Sequence, residues 1–422
     1  MKDLKHLEYF ENLLQESNND LVREAKEEGR KAIGYTCYQI PEPVLNLPGC
    51  FSLRLSAPRV GGIEMGTYYM TSMTCEYCRA LVERNLEGGY QFLDGLIGAA
   101  SCSQLADAHE NMEKHGITER EGFFIEHVDT PMKSDENAVN LIKTICEKRI
   151  LKPLRENYGI DTGDAALRRA VEEHNEVCKL LNAIGEYRKL DNPPITGYEF
   201  AVLTLATYTC PKDKLVKKLK ETLKELKTRE PDVDYKKKYR ARVLVAGSEM
   251  DDPEYIKCIE EAGALVVCDR YCFGQNPGRN EIILTEDEDA LTQVCRQNVM
   301  ENQCPRYMGQ KKIQSRKDYV DKLAKEYKAD GLIYQQMKFC NFWGYERAAC
   351  SHIMRDDYGW PVLSIDRPYV NANSGQLRTR VQAFVESIEI KKIQRTQGAS
   401  RAQGADKLHG TREVSKMQGG GR

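Results

Sequence analysis

Two separate stretches of the chain alternate short apolar runs with helical segments, and this alternation limits the possible folds more than any other feature. In the first stretch, the run FLDGLIGAAS (92–101) shows no polar alternation, as expected for a strand buried on both faces of a parallel sheet. A helical segment and a second run, GFFIEHVDTP (122–131), follow it. The same pattern begins again at ARVLVAGSEM (241–250). Strand–helix–strand alternation of this kind predicts an α/β fold with open parallel sheets.

The composition between these stretches divides the chain into five predicted regions. Residues 1–31 form an N-terminal helical segment, and residues 32–134 form a first α/β domain. Residues 135–240 are a helical region with a charged linker, and residues 241–391 form a second α/β domain. The tail, 392–422, is rich in Gln, Gly and charge, so it has little apolar surface to bury and we expect it to be disordered. Predicted strands are 32–37, 51–57, 92–101, 122–131, 242–247, 264–269, 331–337 and 360–366.

The bulk composition argues against several classes of protein. The chain has 62 Lys and Arg against 64 Asp and Glu, so its net charge of −2 provides no basic field for nucleic acid. No run of about 18 apolar residues, the length that spans a membrane, is present. The charged N-terminus MKDLKHLEYF lacks the apolar core of a secretory signal. We therefore expect a cytoplasmic protein that binds neither nucleic acid nor a membrane.

Short catalytic motifs are also missing from the sequence. There is no G-x-x-x-x-G-K-[ST] phosphate loop, so ATP hydrolysis by that route is not expected. No G-x-G-x-x-G follows a predicted strand, which argues against a nicotinamide site. The G-x-S-x-G and H-E-x-x-H motifs of hydrolases and metalloproteases are absent as well.

Cysteine is the residue type that points to chemistry. The chain has 15 cysteines, an odd number in a protein expected to occupy a reducing compartment, so a disulfide framework is not favoured. Six of them fall at predicted strand ends and in loops, where the ligands of parallel-sheet proteins bind. These six are Cys37, Cys75, Cys102, Cys272, Cys304 and Cys340. Thiolates used without other ligand types indicate an iron–sulfur site.

The local sequence of some of these cysteines supports metal binding. Cys102 follows a buried strand and begins a helix, whose dipole lowers the pKa of a thiol at that position. Cys340 is placed similarly and lies among aromatic residues that could screen a cluster from water. Cys75 and Cys78 form a C-x-x-C pair, which zinc sites and thioredoxin-like dithiols also contain. Zinc is less favoured because the chain has no second C-x-x-C pair.

Other cysteines and the histidines have more ordinary interpretations. Cysteines inside predicted helices and strands are expected to fill the core, and Cys50 is expected to be structural. The core-filling set is Cys146, Cys178, Cys210, Cys258, Cys268 and Cys295. His109, His115, His127 and His174 are expected to be lone surface or core groups rather than ligands. His127 is the best candidate among them, because it falls at the end of a predicted strand.

Six stretches of the sequence, in order, carry a resemblance to a known family. They are KAIGYTCYQIPEPVL, MTCEYCRALVE, LDGLIGAASCSQLADAHENMEK, VVCDRYCFGQNPGR, KADGLIYQQMKFC and SGQLRTRVQAFVES, which together span from about residue 30 to about residue 390. The chain resembles the subunits of 2-hydroxyacyl-CoA dehydratases and benzoyl-CoA reductases, with the double-cubane cluster proteins as close relatives. The resemblance implies two Rossmann-like open parallel-sheet domains with additional helices, and an iron–sulfur cluster between the domains.

The resemblance also implies the ligands of that cluster. A [4Fe–4S] cluster would be held by Cys75, Cys102 and Cys340, with Cys78 as the alternative to Cys75. Three protein ligands would leave one iron open for a substrate oxygen. The implied reaction is a one-electron reduction of an acyl-CoA thioester to a ketyl radical, which then expels a 2-hydroxyl group. A separate ATP-dependent iron–sulfur activator would supply the low-potential electron, and the host would be anaerobic.

Two further readings remain open at this point. Cys37, Cys272 and Cys304 match positions of the double-cubane relatives, whose [8Fe–9S] cluster needs six cysteines and whose chains form homodimers. The stretches SCSQLADAHENMEK and QCPRYMGQKK depart from that group, however, and dehydratase subunits pair instead with a paralogous subunit. The other alternative is a non-catalytic α/β protein with incidental cysteines.

The remaining site candidates rest on position alone. Glu126 and His127 are candidates for a general base because they fall at the carboxyl end of a predicted strand. The phosphates of CoA would need cationic partners, and Arg79, Arg84 or Lys114 could serve. The identity of the acyl group is not indicated by the sequence.

Overall fold

Two four-stranded parallel sheets form the centre of the molecule. The computed structural model describes residues 2–115, 121–231, 235–275, 279–370 and 375–394. Every pair of neighbouring strands in both sheets is parallel. Helices surround the sheets, so the predicted α/β class with open parallel sheets is confirmed.

The first sheet has the strand order β2-β1-β3-β4. Its strands are β1 (Lys31–Tyr35), β2 (Cys50–Arg54), β3 (Gly95–Ala99) and β4 (Phe124–Val128). All residues of β3 are buried, which explains why its sequence is apolar without alternation. Strand β2 is buried throughout as well, although it includes the polar residues Ser52 and Arg54. The predicted strand 92–101 is shorter in the structure, because its flanking residues form turns.

Five helices are associated with this part of the chain. They are α1 (Leu7–Leu13), α2 (Asp20–Glu27), α3 (Glu64–Met70), α4 (Glu76–Leu86) and α5 (Ser103–Lys114). Helices α4 and α5 begin directly after cysteines, as the sequence indicated. The short helix α3, which packs against α4, was not predicted.

A group of helices follows the first sheet, as predicted for residues 135–240. They are α6 (Glu136–Cys146), α7 (Lys152–Tyr158), α8 (Asp164–Glu186), α9 (Gly197–Thr209) and α10 (Lys212–Leu226). Helix α8 packs against both α9 and α10, and their apolar faces meet α1 in a second core cluster. Within the expected linker, Tyr235–Lys238 forms one further turn of helix, α11.

The second sheet repeats the topology of the first, with the order β6-β5-β7-β8. Its strands are β5 (Ala241–Gly247), β6 (Ala264–Tyr271), β7 (Gly331–Met337) and β8 (Val362–Arg367). Strand β6 continues two residues beyond the predicted 264–269, so Cys272 follows its strand directly rather than after a loop of three or four residues. The helices of this part are α12 (Glu254–Glu261), α13 (Ala290–Met300), α14 (Gln310–Glu326) and α15 (Asn341–Asp356), with a further helix over residues 375–394.

The strand orders determine where a ligand can bind. In each sheet the chain leaves the first strand toward one edge and later returns to pair with it on the opposite side. The carboxyl ends of β1 and β3, and those of β5 and β7, therefore form switch points of the kind at which open α/β sheets bind ligands. A single core cluster includes residues of both sheets, so the two switch points belong to one packed unit.

Two predictions concern the ends and surface of the chain. Residues 392–394 are helical rather than disordered, and the rest of the predicted tail, 395–422, lies outside the described residues. Within the described ranges, none of the helices combines the length and the apolar character that crossing a membrane requires.

Candidate metal-cluster site

Three of the predicted ligand cysteines occupy the same structural position, the N-cap of a helix. Cys75 precedes α4, Cys102 precedes α5, and Cys340 precedes α15. Cys102 and Cys340 each follow a strand by three residues, β3 in one case and β7 in the other. The parallel-sheet pattern therefore delivers thiols from both sheets to the edge at which their strands end.

The thiols of Cys75, Cys78, Cys102 and Cys340 contact one another, and we call them the first thiol group. Cys340 and Cys78 donate hydrogen bonds to the sulfur of Cys75, which hold the pKa of Cys75 well below its usual range. Cys78 also donates to Cys102, whose pKa is lowered in consequence. The same contacts raise the pKa values of the two donors, Cys78 and Cys340. The group thus favours thiolates at positions 75 and 102.

Backbone groups add to this preference for negative charge. The N–H group of Leu105 lies 3.4 Å from the sulfur of Cys102, and the N–H groups of Tyr77 and Cys78 donate to Cys75. Helices α4, α5 and α15 have 11, 12 and 16 residues, so three helix dipoles point their positive ends at one place. An environment that stabilises thiolates is the one that cluster ligation requires.

Contacts between the two sheets keep Cys340 against Cys75. The N–H of Glu76 donates to the carbonyl oxygen of Lys338 at 3.2 Å, and the carboxylate of Glu76 accepts from the N–H of Tyr369 at 2.7 Å. Phe339 has a φ of +65°, a left-handed conformation that non-glycine residues rarely adopt. Strain of this kind is retained where surrounding contacts impose it, and here it directs the residue that follows, Cys340.

Cys37, Cys272 and Cys304 form a second set near the first, which we call the second thiol group. Each of the three thiols lies within electrostatic range of another member, and Tyr38 faces all of them and donates a hydrogen bond to Cys304. Burial raises the pKa of Cys37 to about 12 and raises the pKa values of Cys272 and Cys304. These three cysteines begin no helix in the described chain.

A buried ion pair and an indole connect the two groups. Arg54 is 1% exposed, and its Nη2 lies 2.9 Å from Oε2 of Glu249. Burial raises the pKa of Glu249 to about 7, with Cys75 as a further contributor, while a hydrogen bond from Cys272 acts against the shift. The indole nitrogen of Trp343 donates to the sulfur of Cys272 at 3.2 Å. A buried arginine can offset part of the negative charge that bound thiolates would introduce.

The thiols of the first group are not spaced as ligands of a single metal ion. Four thiolates around one zinc ion, at about 2.3 Å each, would lie about 3.8 Å from one another. Within the described residues no three cysteine sulfurs all lie within 4.8 Å of one another, although pairs of them form hydrogen bonds. The sulfur-only donor set is of the kind that iron–sulfur clusters use, in which each thiolate binds a different iron.

Several predicted site residues lie elsewhere or have other partners. Glu126 forms an ion pair with Arg149 at 2.9 Å. Arg79 is buried and donates to the carbonyl of Thr74 at 3.0 Å, so it supports the loop before Cys75 rather than offering a free cation. Lys114 ends α5, about 18 Å along the helix axis from Cys102 at a rise of about 1.5 Å per residue.

Arg84, the remaining CoA candidate, is also engaged. Its guanidinium donates to the carbonyl of Pro58 and lies 3.2 Å from the carboxylate of Glu87. None of the three cations proposed for CoA therefore lines the thiol groups as an unpaired charge.

Three of the four histidines have titratable neighbours that the sequence analysis did not identify. His109 and His127 contact each other, with 3.0 Å between Nδ1 and Nε2. His174 lies between Glu42, at 3.2 Å, and Cys178, at 3.4 Å. The His109–His127 and Glu42–His174 contacts depend on tertiary packing, whereas His174 and Cys178 are four residues apart on α8, a spacing that the sequence does reveal.

Core filling holds for most of the cysteines assigned to it. Cys146, Cys210, Cys258, Cys268 and Cys295 are buried. Cys178 is the exception, because its sulfur contacts His174 beside a cavity. In β2, the thiol of Cys50 donates to backbone carbonyls, which is a structural role as expected.

A cavity of about 310 Å³ lies beside the second thiol group. Tyr38 borders the cavity and also contacts Cys304, so its ring separates the two. The lining includes the Glu42–His174–Cys178 contact and Lys212, whose Nζ lies 2.7 Å from Glu42. Cys178 is the cysteine among its lining residues, so neither thiol group opens directly into this cavity.

Sequence reasoning missed Arg54 and Glu249, which contact the second thiol group. Arg54 could have been recognised from the sequence, because it is a charged residue inside the apolar run FSLRLSA. A buried charge needs a partner, and such a position is therefore a candidate functional site. Glu249 gave no comparable signal, whereas Trp343 is one of the aromatic residues around Cys340 that the sequence indicated.

Comparisons with known proteins agree with this architecture. A family model described as 2-hydroxyglutaryl-CoA dehydratase, D-component, matches residues 37–388. The (R)-phenyllactyl-CoA dehydratase beta subunit of Clostridium sporogenes is 23% identical over 382 residues, covering 90% of this chain and 97% of the relative. The (R)-2-hydroxyglutaryl-CoA dehydratase beta subunit of Acidaminococcus fermentans is 23% identical over 379 residues, covering 88% and 96%.

Proposed function

The chain belongs to the 2-hydroxyglutaryl-CoA dehydratase D-component family, and from this premise we propose that it is an iron–sulfur subunit of an acyl-CoA dehydratase. The relatives bear the names of dehydratase subunits, which supports an enzymatic role. The cofactor is a [4Fe–4S] cluster bound by Cys75, Cys102 and Cys340. A reductase of the benzoyl-CoA type is the other activity considered for the same site.

One observation carries this proposal: thiols from both sheets converge at the ends of β3 and β7. Cys102 and Cys340 are 238 residues apart in the chain, yet both belong to one group of interacting thiols. Cysteines that merely fill a core need not converge at the carboxyl ends of two different sheets. Such convergence is the arrangement that a shared inorganic centre requires.

The residues of the chain have distinct roles in this proposal. Helix N-termini and N–H groups hold Cys75 and Cys102 as thiolates, while Arg54 offsets their negative charge. Trp343 and Phe339 cover the thiols and limit the access of water. When bound, the cluster supplies one-electron reduction of the thioester carbonyl, which lets the 2-hydroxyl group leave.

The family and the proposed reduction both indicate partners for this chain. Two relatives are named beta subunits, so we propose that this chain pairs with a paralogous subunit, or with itself in the second candidate below. The chain has no phosphate loop of its own, so an ATP-dependent iron–sulfur activator supplies the low-potential electron.

The experiment that tests the proposal is iron and acid-labile sulfide analysis of the protein purified without oxygen. About four iron and about four sulfide per chain is the expected result for one [4Fe–4S] cluster. Zinc in place of iron, or no metal at all, would refute the proposal. Dehydration assays with a series of 2-hydroxyacyl-CoA thioesters, the activator and ATP then identify the substrate.

A second candidate function is favoured by the second thiol group. Cys37, Cys272 and Cys304 lie next to the first group and face Glu249 and Trp343 together with it. Three cysteines from each group would provide the six ligands of a double-cubane [8Fe–9S] cluster, in a homodimeric reductase of small molecules. Iron analysis separates the candidates, since the double cubane requires about eight iron per chain.

A further inference from the structure

A further cluster of potential metal ligands, which contains no cysteine, lies between α5 and β4. His109 and Glu113 are four residues apart on α5, so they lie on one face of the helix, one turn apart. His127 belongs to β4, where it pairs in register with Gly98 of β3. The ligand atoms of the three side chains all lie within 4.8 Å of one another.

The distances match those between ligands of one metal ion. Nε2 of His127 lies 3.0 Å from Nδ1 of His109 and 3.3 Å from Oε2 of Glu113. Two ligands that each bind one ion at about 2.1 Å are separated by about 3.0 to 3.4 Å in octahedral or tetrahedral geometry. Nε2 of His127 carries either one hydrogen or one lone pair, so it cannot form equally good hydrogen bonds with both His109 and Glu113. A metal ion between the three side chains could be bound by all of them.

The surroundings of His109 fix its ring in position. The residue is fully buried, and a Cβ at position 98 would lie 2.3 Å from its ring atoms, so Gly98 is needed for the close approach. A backbone hydrogen bond to Leu96 acts on the ring, although the buried Nε2 has no partner of good geometry.

We propose that His109, Glu113 and His127 bind a divalent transition-metal ion such as Zn²⁺. Two imidazoles and one carboxylate form a donor set that suits zinc, iron, manganese and cobalt, and it differs from the sulfur-only set of the thiol groups. The side chains of His127 and Glu113 are 37% and 50% exposed, so the open coordination positions face solvent. The bound ion ties β4 to α5, the helix whose N-cap is Cys102.

Zinc retention by the cluster-loaded protein tests this site. The anaerobic holoprotein is mixed with one equivalent of Zn²⁺, passed through a desalting column and analysed for metal. The cluster then occupies the first thiol group, and zinc taken up by the second thiol group is measured as the amount that His127→Gln still retains. The wild type is expected to retain about one zinc per chain, and zinc is expected to raise its unfolding temperature. His127→Gln and Glu113→Gln are expected to lose both effects, and their exposed positions should tolerate the change.

A matched control is present on the same chain. His6 lies 2.6 Å from Glu221, so it forms a histidine–carboxylate pair that lacks a second imidazole. His6→Gln is expected to retain zinc as the wild type does. Equal zinc in the wild type and His127→Gln would overturn the proposal, because the ion would then be bound elsewhere. Failure of the wild-type holoprotein to retain any zinc would overturn it as well.

Discussion

The two thiol groups lie side by side, yet they differ in how the fold prepares them for a metal centre. In the first group the thiols contact one another, and three of the four cysteines cap helices. In the second group the hydrogen bonds go to other residues, including Ser101 for Cys37 and Tyr38 for Cys304. Burial alone therefore dominates the second group and disfavours thiolates there.

This contrast shows two opposite effects on the pKa of a cysteine thiol: burial raises it, whereas a helix N-terminus and hydrogen-bond donors lower it. A buried thiol whose hydrogen bonds do not offset its desolvation holds its proton, as Cys37 does with a pKa of about 12. A buried thiol at a helix N-terminus that also accepts hydrogen bonds, as Cys75 and Cys102 do, favours the thiolate that binds metal. The first group thus favours thiolates at Cys75 and Cys102 before any metal arrives, whereas Cys340 and the thiols of the second group would have to lose protons as metal binds.

Loss of a ligand in the first group should have the largest effect. Cys102→Ala removes one of the three proposed ligands and leaves the cluster with two, so we expect loss of essentially all cluster iron and of the brown absorbance. Iron analysis and visible spectroscopy of the anaerobic protein measure this. Cys178→Ala is the control, because Cys178 belongs to neither group, and it should leave the spectrum unchanged. An unchanged spectrum in Cys102→Ala would contradict the assignment.

A substitution in the second group should separate the two candidate functions. For a single [4Fe–4S] cluster, Cys304→Ala is expected to leave the iron content unchanged, because Cys304 is not among its ligands. For a double cubane, about half of the iron should be lost. The iron content of Cys304→Ala relative to wild type decides between them. Loss of all iron would contradict both expectations, because it would show that the first thiol group does not hold a cluster without Cys304.

The pH dependence of alkylation in the metal-free protein should distinguish the two thiol groups. Cys102 and Cys304 are both partly exposed, but hydrogen bonding by Cys78 lowers the pKa of Cys102 while burial raises the pKa of Cys304. At pH 7 iodoacetamide should modify Cys102 at least about tenfold faster, since a difference of one pKa unit changes the thiolate fraction about tenfold. As the pH rises, the rate at Cys304 should increase while that at Cys102 levels off. Equal rates at pH 7, measured by peptide mass spectrometry, would contradict the contrast.

The smallest effect is expected for Cys78, within the first group. In Cys78→Ser the hydroxyl can still donate hydrogen bonds to Cys75 and Cys102, so iron content should stay near that of wild type. The matched variant Cys75→Ser removes a proposed ligand and should lower the iron content severalfold. The reverse order, with iron lost in Cys78→Ser and retained in Cys75→Ser, would assign the ligand to Cys78 instead.

The sequence was sufficient to predict both sheets and to name all four members of the first thiol group. Apolar runs without alternation indicate buried parallel strands, and such strands place the residues that follow them at a common edge. Cys102 and Cys340 were found in this way. The choice between Cys75 and Cys78 stayed open because one helical turn separates them, and the structure brings both to the site.

The remaining features depend on tertiary contacts that no local pattern encodes. Arg54 meets Glu249 only because the ends of β2 and β5 lie close together. His109 meets His127 only because β4 pairs in register with β3 and Gly98 leaves room for the ring. Local sequence gives the residue types in each case, but the distance between them is set by packing.

Anomalous diffraction at the iron absorption edge, from crystals grown without oxygen, tests the central claim most directly. The account predicts an iron peak bonded to the sulfurs of both Cys102 and Cys340, at about 2.3 Å from each ligating sulfur to its nearest iron. Residues that follow strands of two different sheets would then bind one centre. No iron peak between these sulfurs, or iron bound to cysteines of one sheet only, would contradict it.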